Sequence, residues 1–346
     1  EDSTLIPFKY IPGYSKSGIP AIHISNNIAD TILKTVGSSR AIIQNKMERN
    51  LKPETFHIPE FIISANVELK DIYSRAANVI GKVISRNHKY RDEFIVIGAH
   101  FDHLGYGGPG SGSLKPDTSA IHNGANDNAS GTAGLLELAH KLQLNRQLLK
   151  RSVLLIAFDA EEKGLLGSKY FIQNSTIEKN NIVTMINMDM IGKMQDSTLI
   201  IGGVGTSPMF EPMLDSLSKD SGLKFEFNQA GYGPSDHASF YSENIPVLFF
   251  FTGDFENHYH LPEDDWQTIN AQGERQILKV IYDLTIKISR ENSKPRFTLS
   301  GPKKQKGQRT NQKVKLGIIP HYGGTVQGLK VDKIYDPNGP AAKAGI

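Results

Sequence analysis

Continuous apolar runs alternate with segments of helical pattern between residues 61 and 290. This alternation restricts the possible folds of the chain more than any other feature of the sequence. Strands that are apolar on both faces are typical of sheets covered by helices on both sides. Apolar residues recur at helical spacing around Leu135–Leu142 and Ile277–Ile288. The pattern predicts a three-layer α/β domain with a mostly parallel, mixed central sheet. The candidate strands read FIVIGAH, SVLLIAFDA, IVTMINMDM, TLIIGG and IPVLFFF.

Charge, hydropathy and cysteine content exclude several classes of site. The 346 residues carry 39 basic and 36 acidic side chains, a net charge of +3, which gives no support for nucleic-acid or membrane-surface binding. The longest apolar runs fall far short of the roughly 20 residues of a membrane span. The chain has no cysteine, which excludes disulfides, thiolate metal sites and a cysteine nucleophile. Any metal must therefore be held by His, Asp and Glu.

Four segments are expected along the chain. Residues 1–60 contain a short strand at 21–24 and a helix capped by Asn26 or Asn27 and ending at Gly37. Residues 61–290 form the α/β domain. A linker rich in Lys, Arg, Pro and Gly follows over 291–313, and an alternating strand pattern resumes over 314–346.

Acidic and histidine side chains follow the ends of the predicted strands. In open α/β sheets, binding sites form outside the carboxyl ends of the strands, so we expect these side chains to converge. Imidazole nitrogen and carboxylate oxygen are ligands that suit zinc. Five protein ligands suffice for two ions that share one carboxylate. The candidates are His100, Asp102, His103, Asp127, Glu161, Glu162, Asp189, His258 and His260.

Glu161 and Glu162 are adjacent at the end of an apolar run, where two like charges repel. A nearby cation offsets that repulsion, so one of the pair can be a ligand and the other a general base. A glutamate beside a water of lowered pKa can accept its proton and return it to a leaving amine. Asp102 follows His100 by two residues of extended chain, so we expect its carboxylate to accept from the free ring N–H of His100.

Six blocks of the sequence resemble, in order, the motifs of the M28 family of co-catalytic zinc aminopeptidases over about 78–290. They read GAHFDHLG, GANDNASGTAGLLELA, FDAEEKGLLGSKYF, NMDMIG, GPSDHASFYSENIPVLFFFTG and HYHLPEDDW. The resemblance implies the zinc-exopeptidase fold, which is phosphorylase/hydrolase-like. It implies a site of two Zn²⁺ ions in which Asp127 bridges. His100 and Asp189 would bind one ion, and Glu162 and His260 the other.

The resemblance also assigns roles to residues that do not bind metal. Glu161 would be the general base, and Asp102 the partner of His100. Tyr232 would donate its hydroxyl to the tetrahedral oxyanion. We also predict a cis peptide bond between Asp127 and Asn128, as the family tends to have after its bridging aspartate.

The other polar residues of these motifs are expected to form local hydrogen bonds or to cap and pack helices, and not to bind metal directly. These are His103, His122, His237 and His258. Asp236, Asp264 and Asp265 either are structural or tune His260.

The implied activity is hydrolysis of the first peptide bond of peptides with a free N-terminus, by a hydroxide that bridges the two metals. Three alternatives stay open: a carboxypeptidase-type relative, a single-zinc relative similar to glutaminyl cyclase, and a non-catalytic scaffold. The absence of an obvious Arg near the motifs favours recognition of an amine over a carboxylate. Five intact ligands and the base favour a two-zinc enzyme.

Both ends of the chain resemble accessory modules. The first segment is similar to the last strand and helix of a protease-associated (PA) domain, and the last to the start of a PDZ domain. A secreted or periplasmic location is the expectation from the family and this pairing of modules.

Overall fold

The computed structural model describes residues 23–58, 64, 74–253, 258–303, 316–320, 331–334, 336 and 338–346. The chain divides into two compact units, Glu1–Ser74 and Arg75–Ile346. None of the described helices combines the length and the apolar character that crossing a lipid bilayer requires.

The first unit contains two helices, α1 (Asn26–Lys34) and α2 (Arg40–Asn50). The N-cap of α1 is Ser25 and not the predicted Asn26 or Asn27. The Ser25 hydroxyl accepts from the backbone N–H of Ile28, one of the N–H groups in the first turn that have no partner within the helix. The strand expected at 21–24 begins outside the described residues, and its described part is not a strand.

Seven strands of the second unit form one mixed sheet in the order β1-β3-β2-β4-β7-β5-β6. The central strands β3, β2, β4 and β7 are parallel. β1 runs antiparallel to β3, and β5 runs antiparallel to β7 and parallel to β6. This confirms the predicted fold class. The strands are β1 (Val79–Val83), β2 (Phe94–His100), β3 (Ser152–Phe158), β4 (Ile182–Met188), β5 (Thr198–Gly202), β6 (Lys224–Phe227) and β7 (Val247–Phe251).

Helices cover both faces of the sheet. They are α3 (Gly131–Leu144), α4 (Leu166–Asn174), α5 (Phe210–Ser221), α6 (His237–Ser242) and α7 (Ala271–Arg290). Alternate residues of each central strand point to opposite faces, so Ile95 and Ile97 join a core with α3, α5 and α7, while Val96 joins a second core with α4 and α6. Each fully buried aliphatic side chain contributes about 1.5–3 kcal/mol through loss of water contact.

The register of the parallel strands brings their carboxyl ends to one edge. His100 at the end of β2 pairs with Phe158 at the end of β3, and Gly98 of β2 pairs with Asn187 of β4. Segments that leave these strands therefore start side by side. Two further strands form an antiparallel pair, β8 (Ile318–Pro320) with β9 (Val331–Ile334). The short helix α8 (Pro340–Ala344) follows them.

The described part of the predicted linker 291–313 packs on the domain, and residues 304–313 lie outside the described residues. The hydroxyl of Tyr241 donates to the carbonyl of Ser300 at 2.8 Å and accepts from the Ser300 N–H at 3.0 Å. The N–H of Gly231 donates to the same carbonyl at 2.9 Å. The ring of Phe297 lies 5.6 Å from that of Tyr241, between ring centres. We call this packed segment the strap (residues 296–303).

The stability of the domain is expected to fall as pH rises between about 4.5 and 7, because of Glu274 in the first turn of α7. Burial raises the pKa of Glu274 to about 7. The folded protein then holds a proton that the unfolded chain has already lost, so deprotonation favours unfolding. Because the side chain is only partly buried, solvent screening reduces the effect. We expect the free energy of unfolding of Glu274→Gln to rise by about 1 kcal/mol relative to that of wild type between pH 5 and pH 8. Urea unfolding at both pH values measures this, and a wild-type-minus-variant difference that does not change with pH would contradict it.

Candidate metal centre

The carboxyl ends of β2 and β4 bring together the first group of predicted ligands. His100 is the last residue of β2, and Asp189 directly follows β4. The Nε2 atom of His100 lies 3.3 Å from Asp189 Oδ1 and 3.4 Å from Asp127 Oδ1. All three side chains are nearly buried, with 1%, 12% and 5% of the side chain exposed. One imidazole nitrogen and two carboxylate oxygens therefore face one another.

A second group forms on the other side of Asp127. The Nε2 atom of His260 lies 3.3 Å from Asp127 Oδ2 and 3.4 Å from Glu162 Oε2. Glu162 comes from the turn after β3, and His260 from the loop after β7. Asp127 thus presents one carboxylate oxygen to each group, which is the arrangement expected of a bridging ligand.

The spacing of these donors fits zinc. Zinc–nitrogen and zinc–oxygen bonds of about 2.0–2.1 Å at tetrahedral angles place two ligands about 3.3–3.4 Å apart. The four His-to-carboxylate separations lie between 3.3 and 3.4 Å. Each group supplies three protein donors, so a tetrahedral ion would keep one open position, as catalytic zinc sites do.

Backbone carbonyls orient both histidines. Nδ1 of His100 lies 3.1 Å from the main-chain oxygen of Asp102, and Nδ1 of His260 lies 3.0 Å from that of Gly112. A proton on Nδ1 donates to the carbonyl in each case and leaves the Nε2 lone pair free for a metal.

Asp102 holds the Glu161–Glu162 turn more closely than it holds His100. Its carboxylate Oδ1 is 3.8 Å from Nδ1 of His100, beyond hydrogen-bonding distance. Its two oxygens instead accept from the backbone N–H groups of Glu161, at 2.9 Å, and Glu162, at 3.2 Å. The contact with His100 is therefore made by the main chain of Asp102, whereas the sequence analysis assigned it to the carboxylate.

The loop that carries Asp127 is anchored by a buried ion pair. The peptide bond between Asp127 and Asn128 is cis, as predicted. Oδ2 of Asp264 accepts from the backbone N–H groups of Asn126 and Asp127 at 2.9 and 3.0 Å. Oδ1 of the same carboxylate accepts from the ammonium of Lys193 at 2.7 Å, and both side chains are almost fully buried. Asp264 thus fixes Asp127, the predicted bridging residue, and does not tune His260.

The asparagines on either side of Asp127 tie the loop to the segment after β4. Asn128 donates to the carbonyl of Met188 at 3.0 Å, and Asn126 accepts from the N–H of Gly192 at 2.8 Å. The close approach requires glycine at Gly131, where a Cβ would lie 2.8 Å from the Met188 carbonyl oxygen. These contacts fix the distance between Asp127 and the neighbouring Asp189.

Left-handed backbone conformations are found at the edge of the two donor groups. Ala160, Met190 and His260 have φ values of 55°, 54° and 53°, which residues other than glycine adopt rarely. Each costs of order 1 kcal/mol and persists only where the surrounding contacts impose it. The three lie at the turns that aim Glu161, Asp189 and the His260 ring.

The charges of the site shift the pKa values of its members. Burial raises the pKa of Glu161 well above its usual range; His100 lowers it, and Asp236, Asp189 and Glu162 raise it further. Burial opposes the charge of Asp127, but hydrogen bonds with His100 and His260 outweigh it and hold the pKa of Asp127 far below its usual range. These surroundings therefore favour the ionised form of Asp127 and make ionisation of Glu161 less favourable.

A cleft opens onto both donor groups and has an apolar wall. Glu161 lines it together with the five predicted ligands. Met190, Phe249, Phe251 and Tyr259 also line this cleft. Tyr232 does not line it, although Pro234 from the same loop does; the Tyr232 ring packs on the core formed with α4 and α6. The role predicted for Tyr232 stays a prediction.

Several polar residues of the motifs lie outside the donor groups. His122 bonds to the Ser113 hydroxyl at 2.8 Å, and the His237 ring stacks on Phe249 with 4.5 Å between centres. Asp236 is fully buried at the start of α6, and burial raises its pKa to about 7.

His103 bonds to Glu162, in agreement with the local hydrogen bonding predicted for it, whereas Lys193, for which the sequence predicted no role, anchors Asp264. The second histidine of HFDH is the signal for His103. No local pattern identifies Lys193, because its partner is 71 residues away.

Comparison with known proteins places the chain in a family. The model of peptidase family M28 matches residues 78–285. Aminopeptidase YwaD of Bacillus subtilis is 27% identical over 249 residues, which cover 67% of this chain and 49% of the relative. Leucine aminopeptidase 1 of Pyrenophora teres is 30% identical over 213 residues, covering 56% of this chain and 52% of the relative. The chain spans about half the length of these curated relatives.

A solved structure of low sequence identity shares the fold, and a second one is similar in sequence. A Zn-dependent exopeptidase from Parabacteroides distasonis aligns with a TM-score of 0.50 and 19% identity, over 61% of this chain and 77% of that one. BSAP, a zinc aminopeptidase from Bacillus subtilis, aligns with a TM-score of 0.49 and 27% identity, over 64% and 52%. Because the family model covers more than half of the chain and includes all five predicted ligands, the protein belongs to peptidase family M28.

Proposed function

We propose that this protein is a metal-dependent aminopeptidase that hydrolyses the first peptide bond of peptides with a free N-terminus. Membership of peptidase family M28 and the aminopeptidases among its relatives support this reaction class. The observation that carries the proposal is the pair of donor groups that share Asp127, with His-to-carboxylate separations of 3.3–3.4 Å.

Two zinc ions are the proposed cofactor. His100 and Asp189 would hold one, Glu162 and His260 the other, and Asp127 both. Bound zinc would lower the pKa of water towards neutrality and polarise the scissile carbonyl. The chain supplies the shape of the site: the carbonyls behind both histidines fix the ring orientation, and Asp264 fixes the loop of Asp127.

Glu161 is the proposed general base. It lines the cleft beside the donor groups. Its raised pKa favours acceptance of a proton on its carboxylate and return of that proton to the leaving amine nitrogen. Tyr232 has no part in this proposal, since it does not line the cleft.

The three alternatives are less well supported. A carboxypeptidase needs a cation for the substrate carboxylate, and the described residues that line the cleft include neither Arg nor Lys. A single-zinc enzyme would not need two complete donor groups. A scaffold would not need the intact base. The PA-like and PDZ-like resemblances and a secreted or periplasmic location stay proposals that rest on the sequence.

Zinc-dependent assays on metal-free protein test the proposal. We expect hydrolysis of amino-acid p-nitroanilides to reach its maximum at two zinc ions per chain, with no hydrolysis of the N-acetylated substrates. A matched N-blocked peptide with a free C-terminus serves as the control. Release of its C-terminal residue would favour the carboxypeptidase, full activity at one ion the single-zinc enzyme, and inactivity with two bound ions the scaffold.

A further inference from the structure

His103 lies beside the second donor group, and one of its ring nitrogens lies within 4.8 Å of donor atoms of Asp127 and Glu162, so the individual distances decide whether it is a ligand or a hydrogen-bond donor. It follows Asp102 in the loop after β2, and only 9% of its side chain is exposed. Its Nδ1 atom is 2.9 Å from Glu162 Oε1. Its Nε2 atom is buried and has no hydrogen-bond partner among the described residues. The ring therefore makes its one polar contact with the side chain of a predicted ligand.

The distances separate His103 from His260. His260 Nε2 lies 3.3 and 3.4 Å from the oxygens of Asp127 and Glu162, which match the edge of a zinc tetrahedron. Nδ1 of His103 lies 2.9 Å from Glu162 and 4.0 Å from Asp127. The first is a hydrogen-bond distance, and the second exceeds the tetrahedral edge of about 3.3–3.4 Å. His103 is placed as a hydrogen-bond donor, and His260 as a ligand.

The two oxygens of Glu162 consequently have different partners. Oε1 faces His103, while Oε2 faces His260. The backbone of Glu162 is held separately, because its N–H donates to the carboxylate of Asp102. Two consecutive residues of the loop after β2 thus fix the main chain and the side chain of Glu162.

We propose that His103 is a positioning residue that donates its Nδ1–H to Glu162 Oε1 and so directs Oε2 towards the metal. The proposal rests on the proposed two-zinc site. Partners that hold a ligating side chain typically change metal affinity by about 10–100-fold when they are removed. We expect a change of that size at the ion held by Glu162 and His260, and little change at the ion held by His100 and Asp189.

Two amide substitutions test which ring nitrogen matters. In His103→Asn the amide nitrogen is attached to Cγ and takes the place of Nδ1, so it can donate to Glu162. In His103→Gln it lies one bond further out, near the place of Nε2. Zinc affinity is measured by competition with a chromophoric chelator, which needs no enzyme activity. We expect the affinity for the ion held by Glu162 and His260 to stay within about 3-fold of wild type in the Asn variant and to fall about 10–100-fold in the Gln variant.

Controls separate the possible failures. His140→Asn changes an exposed histidine on α3 and is expected to bind zinc as wild type does. Thermal unfolding of the metal-free variants measures any loss of fold, and a loss common to Asn and Gln cancels in their comparison. Equal weakening in both variants, or no weakening in either, would overturn the role of His103. Failure of the wild-type protein to bind two ions would instead overturn the proposed function.

Discussion

Glu161→Gln is expected to lower kcat by about 10²–10⁴-fold and to leave the zinc content unchanged. The amide keeps the size of the carboxylate but cannot accept a proton, so the proton has no group to carry it to the leaving amine. The donor groups do not include Glu161, whose neighbour Glu162 supplies the oxygen that faces His260. Steady-state kinetics with an amino-acid p-nitroanilide and elemental analysis of the same sample measure both quantities.

Glu137→Gln is the matched control, because Glu137 is an exposed residue of α3 outside the cleft. It is expected to behave as wild type. Normal hydrolysis by Glu161→Gln would show that another group moves the proton. A loss of zinc in that variant would show that Glu161 is a ligand.

Asp127→Ala is expected to lose both ions, with each zinc affinity falling at least about 100-fold. Asp127 contributes one oxygen to each donor group, so its removal leaves only His100 with Asp189, and His260 with Glu162. Two protein ligands hold zinc far more weakly than three. Chelator competition gives the affinities, and elemental analysis after gel filtration gives the number of ions retained.

Asp220→Ala removes an exposed aspartate of α5 and serves as the control for this measurement. Unfolding of the metal-free proteins shows whether the loop of Asp127 still folds. Retention of one ion at wild-type affinity by Asp127→Ala would mean that this carboxylate belongs to one group only.

The sheet could be predicted where its strands are buried. The runs that became β2, β3, β4, β5 and β7 are continuous and apolar, since helices cover both of their faces. The sequence does not predict β1 and β6, which lie at the two edges of the sheet. Val79 in β1 is 64% exposed and β6 alternates charged and aromatic residues, so neither has the buried-strand pattern. Edge strands are defined by their neighbour more than by their own composition.

The site could be predicted as a set of residues but not as a network. The strand-end rule and the family motifs brought His100, Asp127, Glu162, Asp189 and His260 to one place before any distance was known. Which atoms hold these ligands depends on tertiary contacts. An extended chain brings the main-chain carbonyl of residue i+2 as near to a ring as its side chain, and no local signal tells the two apart.

The role of Asp264 shows the same limit. The sequence left open whether it is structural or tunes His260, and the structure supports the structural role. In the fold its carboxylate reaches the backbone of Asp127, 137 residues away, together with the ammonium of Lys193. Buried ion pairs of this kind are set by the packing of several loops, which residue spacing does not encode.

The strap has a practical consequence for where the peptidase domain can be cut. The change in composition after α7 suggests a truncation at the last residue of that helix. Such a truncation would remove Ser300 and leave the Tyr241 hydroxyl and the Gly231 N–H without the Ser300 carbonyl as a partner. Gly231 lies three residues before Pro234, which lines the cleft, so the damage would fall on a loop that reaches the cleft. Expression and crystallisation of the catalytic part alone should therefore keep the chain through Lys303, whose carbonyl accepts from Ser242 on α6.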